Sequence, residues 1–255
     1  MARLELVALE NIGRIVPGDD LAAAAAASCA AMKLALRDGD IVAFAQKIVS
    51  KSEGRFAVLE EIEPSPRARE LAARCLKDPR AVELVLRESH EVVRAVPNVL
   101  IVRDRRGLTL ANAGVDHSNV EPDERGRERA LLLPEDPDAS AQRLRLRLRE
   151  LAGADVGVIV NDSLGRAWRQ GTVGVAIGVA GLPGLLDLRG QPDLGGRTLQ
   201  ATEVGLADEL AAAASALMGQ GAEGRPIVLI RGVFWPRRDG NASELLRPRD
   251  KDLFR

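Results

Sequence analysis

Two aspartates stand out by their setting. Asp162 closes an apolar run, Val156 to Val160, in "ADVGVIVNDSLGRAWRQG", and Asp116 lies in a second polar stretch, "NAGVDHSN". An apolar β-branched run without alternation predicts a strand covered on both faces, which delivers Asp162 to its C-terminal end. In open α/β sheets, ligands bind in the crevice beyond the carboxyl ends of the strands, where side chains and loop amides converge on a rigid support. A loop aspartate that only caps a turn has the same appearance in sequence. If Asp116 and Asp162 converge, their like charges demand a cation, because two carboxylates at short range resist joint ionisation. Magnesium or manganese suits such a site, since both prefer carboxylate, hydroxyl and amide oxygens.

Other polar groups could serve the same site. Asn119 lies three residues beyond Asp116 and could reach the same ligand if the loop turns back. Lys51, in "SKSEGR", could approach phosphate oxygens from a Ser/Gly turn, although the Walker spacing is absent and a solvated lysine reads identically. In "LMGQGAEGRP", Gly219, Gly221 and Gly224 permit positive φ and close approach of amides to a polyphosphate, or form a plain helix C-cap. Gln220 could lend an amide oxygen to a metal. His90 is expected on a helix surface; His117 adjoins Asp116, but no Ser/His/Asp order supports a hydrolytic triad. Trp168 and Trp235 could wall a site for a planar ligand or pack at a rim.

The elements that must position these groups read as mixed α/β. The chain has 255 residues, 46% hydrophobic and 29% charged, with 36 basic against 37 acidic side chains, so the basic excess of a nucleic-acid-binding surface is missing. Aromatic residues are 2%, which argues against base-stacking platforms. Cys29 and Cys75 lack metal-ligand spacing and are expected to be buried and reduced. No signal peptide is expected at the N-terminus, and the alanine-rich Leu21–Met32 segment is too short to span a bilayer, so a cytoplasmic protein without membrane contact is expected.

"RLELVAL", "IVAFA" and "PIVLIRG" are predicted strands, and "NVLIVRD" with "LTLAN" a hairpin. Helices are predicted over Leu21–Leu36 with Asp19 or Asp20 as cap, in "SPRARELAARCL", in "DPRAVELVLRESHEVV", in "SAQRLRLRLRELAG" capped by Asp138, and over Leu206–Leu217. Pro122 to Pro137 is expected to be a charged excursion. A single domain over 1–255 is expected, with a weak subdivision near 200.

Taken together, "SKSEGR", "NAGVDHSNV", "NDSLGRAWRQGTVGVAIG", "ADEL" and "LMGQGAEG", in this order, resemble the coenzyme F-420-0:L-glutamate ligase (γ-glutamyl ligase) family, from "PGDD" to "VLIRG". The resemblance implies an unusual α/β fold, a mixed sheet in an intertwined homodimer. It implies GTP-dependent addition of one or more L-glutamates to the deazaflavin precursor F-420-0, through an acyl phosphate, with GDP and phosphate released. By matching position, Asp116 and Asp162 resemble ligands of one divalent ion, and Ser163, where the family often has Thr, and Gln220 ligands of a second, with potassium a further candidate. Nucleotide contacts are implied for Ile12, Gly13, Arg14, Ile15, Gln46, Lys47, Lys51, Asn119 and the run Met218, Gly219, Gln220, Gly221, Ala222, Glu223, Gly224, Arg225. "NIGRI" and "QK" depart from the archaeal pattern, and the nitroreductase-like domain of some bacterial relatives is not in this sequence. A ligase for another carboxylate acceptor and a non-catalytic GTP-binding protein are the alternative expectations.

Overall fold

A computed structural model describes residues 3–235 and 238–252. The expected mixed α/β architecture is found. Its main sheet has five strands, β1 (Glu5–Ala8), β2 (Ile41–Ala45), β8 (Gly157–Arg166), β9 (Arg169–Ala180) and β12 (Ile227–Arg231), ordered β1-β12-β2-β8-β9. β2 and β8 are parallel and the other pairings antiparallel.

Alternation along the central strands explains why their sequences are apolar throughout. Val42, Phe44, Val158 and Val160 face a core shared with α1 (Leu21–Ala31) and α5 (Pro137–Ala152). Ile41, Ala43 and Ile159 face the opposite core, closed by Leu210, Ala211 and Ala214 of α6 (Leu206–Met218). Each face is worth about 2–5 kcal/mol per large side chain if truncated to alanine, so the strands tolerate no polar residue until they clear the helices.

A second cluster holds β4 (Ser89–Val96), β5 (Val99–Asp104) and β6 (Thr109–Ala111) as one sheet, with β3 (Phe56–Val58) paired to β7 (Arg129–Leu131). Here α3 (Pro66–Cys75) and α4 (Pro79–Arg87) bury Leu71, Cys75 and Val82 against Leu100 and Val102. α2 (Gln46–Ser52) leaves the end of β2 directly, and β10 (Leu186–Asp187) pairs with β11 (Glu203–Val204) at the base of an exposed ribbon.

Several sequence expectations are corrected. α1 ends at Ala31 rather than Leu36, because Lys33 takes a left-handed conformation (φ 56°); Asp20 is its cap, accepting from the Ala23 amide at 2.9 Å. The helix expected to run through "RESHEVV" stops at Arg87, and Ser89–Val96 pairs with β5, which places the exposed His90 on a strand. The β-branched Val92, registered opposite Val102, favours that extended pairing. α5 is capped by Asp136; Asp138, in its first turn, instead accepts from the backbone amides of Val179 and Ala242, both at 2.8 Å, tying three segments together. Lys51 lies in the last turn of α2, not in an open turn. Cys29 and Cys75 are buried and unpaired, as expected. No helix among the described residues is long and apolar enough to cross a membrane.

Candidate active site

The strand directions gather the site at one edge of the main sheet. β2 and β8 both point their carboxyl ends there, β1 runs the same way, and the antiparallel β12 begins there. The segments that follow or precede those ends, Ile12–Ile15, Gln46–Lys51, Asn161–Ser163 and Met218–Pro226, contribute to the walls of one cleft of about 510 Å³. Asp116, Ser118 and Asn119 close it from the second cluster.

Asp162 does not end its strand. β8 continues to Arg166, and burial gives way to partial exposure at Asp162 itself. A bulge in β9 at Ile177, opposite the step from Val160 to Asn161, falls at the point where β8 leaves the helices and enters the cleft. Bulges re-aim side chains in this way next to functional sites. β9 approaches α6 closely there: a Cβ on Gly174 would stand 2.4 Å from the Ala211 carbonyl oxygen and 2.7 Å from Asn161 Oδ1, so only glycine fits.

Asp116 is presented differently. Its backbone bridges Leu131, exchanging amide and carbonyl hydrogen bonds of 3.0 and 2.8 Å. Its carboxylate is then gripped from two sides: Oδ1 accepts from the Ser118 amide at 2.7 Å, and Oδ2 accepts from Ser118 Oγ at 3.0 Å and pairs with Lys47 Nζ at 2.7 Å. Lys47 also donates to the Ser118 carbonyl, and Lys51, one helical turn on, donates to the Asn119 carbonyl at 2.8 Å. Arg14 pairs with Glu121, at the far end of the same segment. Three cations from two separate parts of the sheet edge therefore hold the 116–121 segment.

The two carboxylates feel each other. Burial pushes the Asp162 carboxyl above its ordinary range, and the charge of Asp116 pushes it further, against the opposing Ser163 amide and Lys47. Burial also raises Asp116, but Lys47 and Ser118 outweigh it and leave that group below the ordinary range. The Lys51 ammonium is lowered by burial and by its cationic neighbours Lys47, Arg14 and Arg129. A pair of acids with one raised and one lowered, facing a cleft with several cations, is the electrostatic pattern of a site built to bind charge.

Neutral oxygens complete the donor set. Gln220 commits its amide nitrogen to Ser215 Oγ at 3.0 Å, and its carbonyl oxygen has no hydrogen-bond partner among the described residues. Asn161 likewise spends its nitrogen on Met218 Sδ at 3.4 Å, and its Oδ1 is buried with no partner among the described residues. Two carboxylates with hydroxyl and amide oxygens suit a hard divalent cation, not zinc. No group of three or more His, Cys, Asp or Glu is assembled among the described residues.

Of the residues singled out from sequence, Ile12, Gly13, Arg14, Ile15, Gln46, Lys47, Lys51, Asp116, Asn119, Asp162, Ser163, Met218, Gly219, Gln220, Gly221, Gly224 and Arg225 all line this cleft. Ala222 and Glu223 do not; the Glu223 carboxylate turns back to accept from the Gly221 amide at 2.8 Å. Trp235 packs in the core and Trp168 stands 87% exposed at a hairpin tip, so neither walls the cleft. Ser118, Asn161 and Ser215 were missed. Ser118 had a readable signal, an aspartate two residues before a serine, which favours an Asx-type turn. Ser215 had none, because a serine on an alanine-rich helix face looks like filler.

Compared with known proteins, the chain matches a family model described as F420-0:gamma-glutamyl ligase over residues 11–232. It is similar to the coenzyme F420:L-glutamate ligase of Methanopyrus kandleri, 49% identical over 257 residues covering 99% of this chain and 97% of that protein. The proteins of the same name from Methanothermobacter thermautotrophicus and Archaeoglobus fulgidus are 45% and 42% identical over 254 residues, covering 99% of this chain and 99% and 97% of theirs.

Proposed function

The chain belongs to the F420-0:gamma-glutamyl ligase family, and on that premise we propose that it uses GTP to join L-glutamate to the deazaflavin precursor F-420-0. The observation that carries this reading is the meeting of Asp116 and Asp162, 46 positions apart in sequence, at one cleft with Lys47, Lys51 and Arg14.

A carboxylate and an amine do not condense at neutral pH, so the acceptor carboxylate must first gain a good leaving group. Its oxygen attacks the γ-phosphorus of GTP, the β–γ bridging bond breaks, and GDP leaves. The glutamate amine then attacks the acyl carbon, phosphate departs with the acyl C–O bond, and the amine loses its proton. Such phosphoryl transfer rests on positioning and charge neutralisation more than on covalent help from the protein.

The residues suit those tasks. Asp116, Asp162 and Ser163, with the free carbonyl oxygen of Gln220, would hold magnesium or manganese at two positions. When bound, the cations neutralise the phosphate oxygens and make the γ-phosphorus easier to attack. Lys47 and Lys51 supply fixed positive charge to the same oxygens once released from the 116–121 segment. Gly219 and Gly224, with φ of 78° and 65°, let the chain turn there so that backbone amides approach a polyphosphate. The homodimer belongs to this reading too, and the exposed ribbon between β10 and β11, with Leu194 fully exposed, supports it as an arm for a second copy.

The test is direct: incubate the protein with GTP, L-glutamate, F-420-0 and magnesium or manganese, then read product masses and GDP. The expected result is acceptor-dependent GDP release with a mass gain of one or more glutamyl units. GTP bound without turnover of any carboxylate acceptor would overturn ligation and leave a nucleotide-binding protein.

A further inference from the structure

The β8–β9 ribbon that carries Asp162 continues past the cleft into a tip the ligation reading leaves unused. The strands close through Ala167 and Trp168, with Arg166 and Arg169 registered directly opposite each other. Like charges at opposed positions repel. From Ser163 to Leu186 the sequence contains no acid, and neither arginine takes part in a salt bridge among the described residues. The contact recorded for Arg166 is a hydrogen bond of 3.2 Å to the Gln170 carbonyl. Elsewhere the molecule pairs its arginines closely, as in Arg106 with Asp104 and Glu88, or Arg231 with Asp40.

Trp168 sits between these cations, 87% exposed and with φ of 63°. A bulky aromatic in the left-handed region is a costly choice, and such choices persist mainly where a ligand uses them. An exposed indole offers a flat apolar face, and guanidinium groups offer forked donors to phosphate or carboxylate. Arg166 lies four residues beyond Asp162 on β8, roughly 13 Å along the strand, just past a register shift between Gly165 and Arg166.

We infer that the ribbon tip is the acceptor-recognition element of this enzyme: Trp168 stacks on a planar ring while Arg166 and Arg169 take an anionic group of the same molecule, whose reacting carboxylate reaches back to the cleft. This rests on the ligation reading for the identity of the acceptor, since a deazaflavin precursor is both planar and anionic. The repulsion between the arginines is the cost of a site that is completed by its ligand.

The experiment measures F-420-0 binding directly, by titrating the full-length protein in the presence of magnesium and a non-hydrolysable GTP analogue, and reads thermal unfolding in parallel. Trp168→Ala, Arg166→Ala and Arg169→Ala are each expected to weaken F-420-0 binding about tenfold, with affinity for the GTP analogue unchanged. Arg169→Glu is the decisive variant, because it converts the repulsive pair into a cross-strand ion pair. It should keep or raise the unfolding midpoint while weakening F-420-0 at least about thirtyfold. A merely structural ribbon predicts the stability change without the binding change. Unaltered F-420-0 affinity in both Trp168→Ala and Arg169→Glu overturns the inference, as does an indole shielded from iodide quenching by a second copy of the chain. Failure of the ligation reading looks different: ribbon-dependent binding of F-420-0 with no GDP released keeps this inference and removes that one.

Discussion

The two walls of the cleft are built on opposite plans. The sheet wall, Asn161 to Ser163, is the continuation of a buried strand packed beneath α6, and its aspartate meets no cation closely enough to bring it into the ordinary range. The loop wall, Asp116 to Glu121, has little core of its own and is fastened by Lys47, Lys51 and Arg14. One wall gains precision from packing and the other from charge. On the proposed GTP-dependent reading, that division lets the cleft admit a nucleotide, since ion pairs at a partly exposed surface exchange partners at a cost of about 1 kcal/mol or less, whereas a packed strand does not move cheaply.

The largest expected effect treats the walls as equals. Asp116→Asn and Asp162→Asn should each lower F-420-0- and glutamate-dependent GDP release at least a hundredfold, or about 2.7 kcal/mol, with far-ultraviolet circular dichroism unchanged. Full turnover in either variant would dissolve the pairing of the walls.

Next come glycines, where the walls should part. Gly174→Ala drives a methyl into the Ala211 carbonyl and Asn161 Oδ1, and should cost about 1–3 kcal/mol in denaturant unfolding. Gly126→Ala, in the excursion beyond the loop wall, meets open space and should cost about 1 kcal/mol, for its positive φ alone. Equal losses would mean that the sheet wall is not the tightly packed one.

Lys47→Met removes the fastening of the loop wall while keeping the stem of the side chain. The KM for GTP should rise about tenfold, about 1.4 kcal/mol, with little change in unfolding midpoint. A KM unchanged within twofold would mean the segment is held by other means.

The smallest effect is the sharpest, because its sign differs between the walls. In unliganded protein at pH 7, Asp162→Asn should raise the unfolding midpoint, since the folded state holds that carboxyl above its ordinary value of 3.8 and ionisation there is a cost. The gain should vanish below pH 3.8, where the group is protonated folded and unfolded alike. Asp116→Asn should lower the midpoint, because its folded value lies below 3.8 and its stabilisation is present above that pH, fading as acid protonates the folded group. Solvent reaches the Asp116–Lys47 pair, so the Asp116→Asn change should stay within about 1 kcal/mol. Midpoints moving in the same direction would contradict the comparison.

How much of this could be read from the chain also follows the two walls. The central strands were legible because two-sided burial leaves only apolar residues, as in Ile41–Ala45 and Val156–Val160. The convergence of Asp162 with Gln46 and Arg225 follows from strand direction, which the apolar runs fix only in part. β4 was misread as helix because Val92 and Val93 continue an apolar spacing that fits either period, and only pairing with β5 decides. Asp138 reads as a cap because an aspartate just ahead of a helical run suits that role; its partners, the Val179 and Ala242 amides, come from distant segments. The grip of Lys47 on Asp116 joins residues 69 positions apart and left no local mark.

The pairing of β1 with β12 has a consequence for biogenesis. Glu5 faces Arg231 across the sheet, so β1 stays without this neighbour until β12, 226 positions further along the chain, has been made. Pairings this remote in sequence slow the search for the native state, and they leave an early apolar strand unprotected meanwhile. Ile12–Ile15 and Met218–Pro226 flank that pairing, so these two walls of the cleft come together only once β12 has been made.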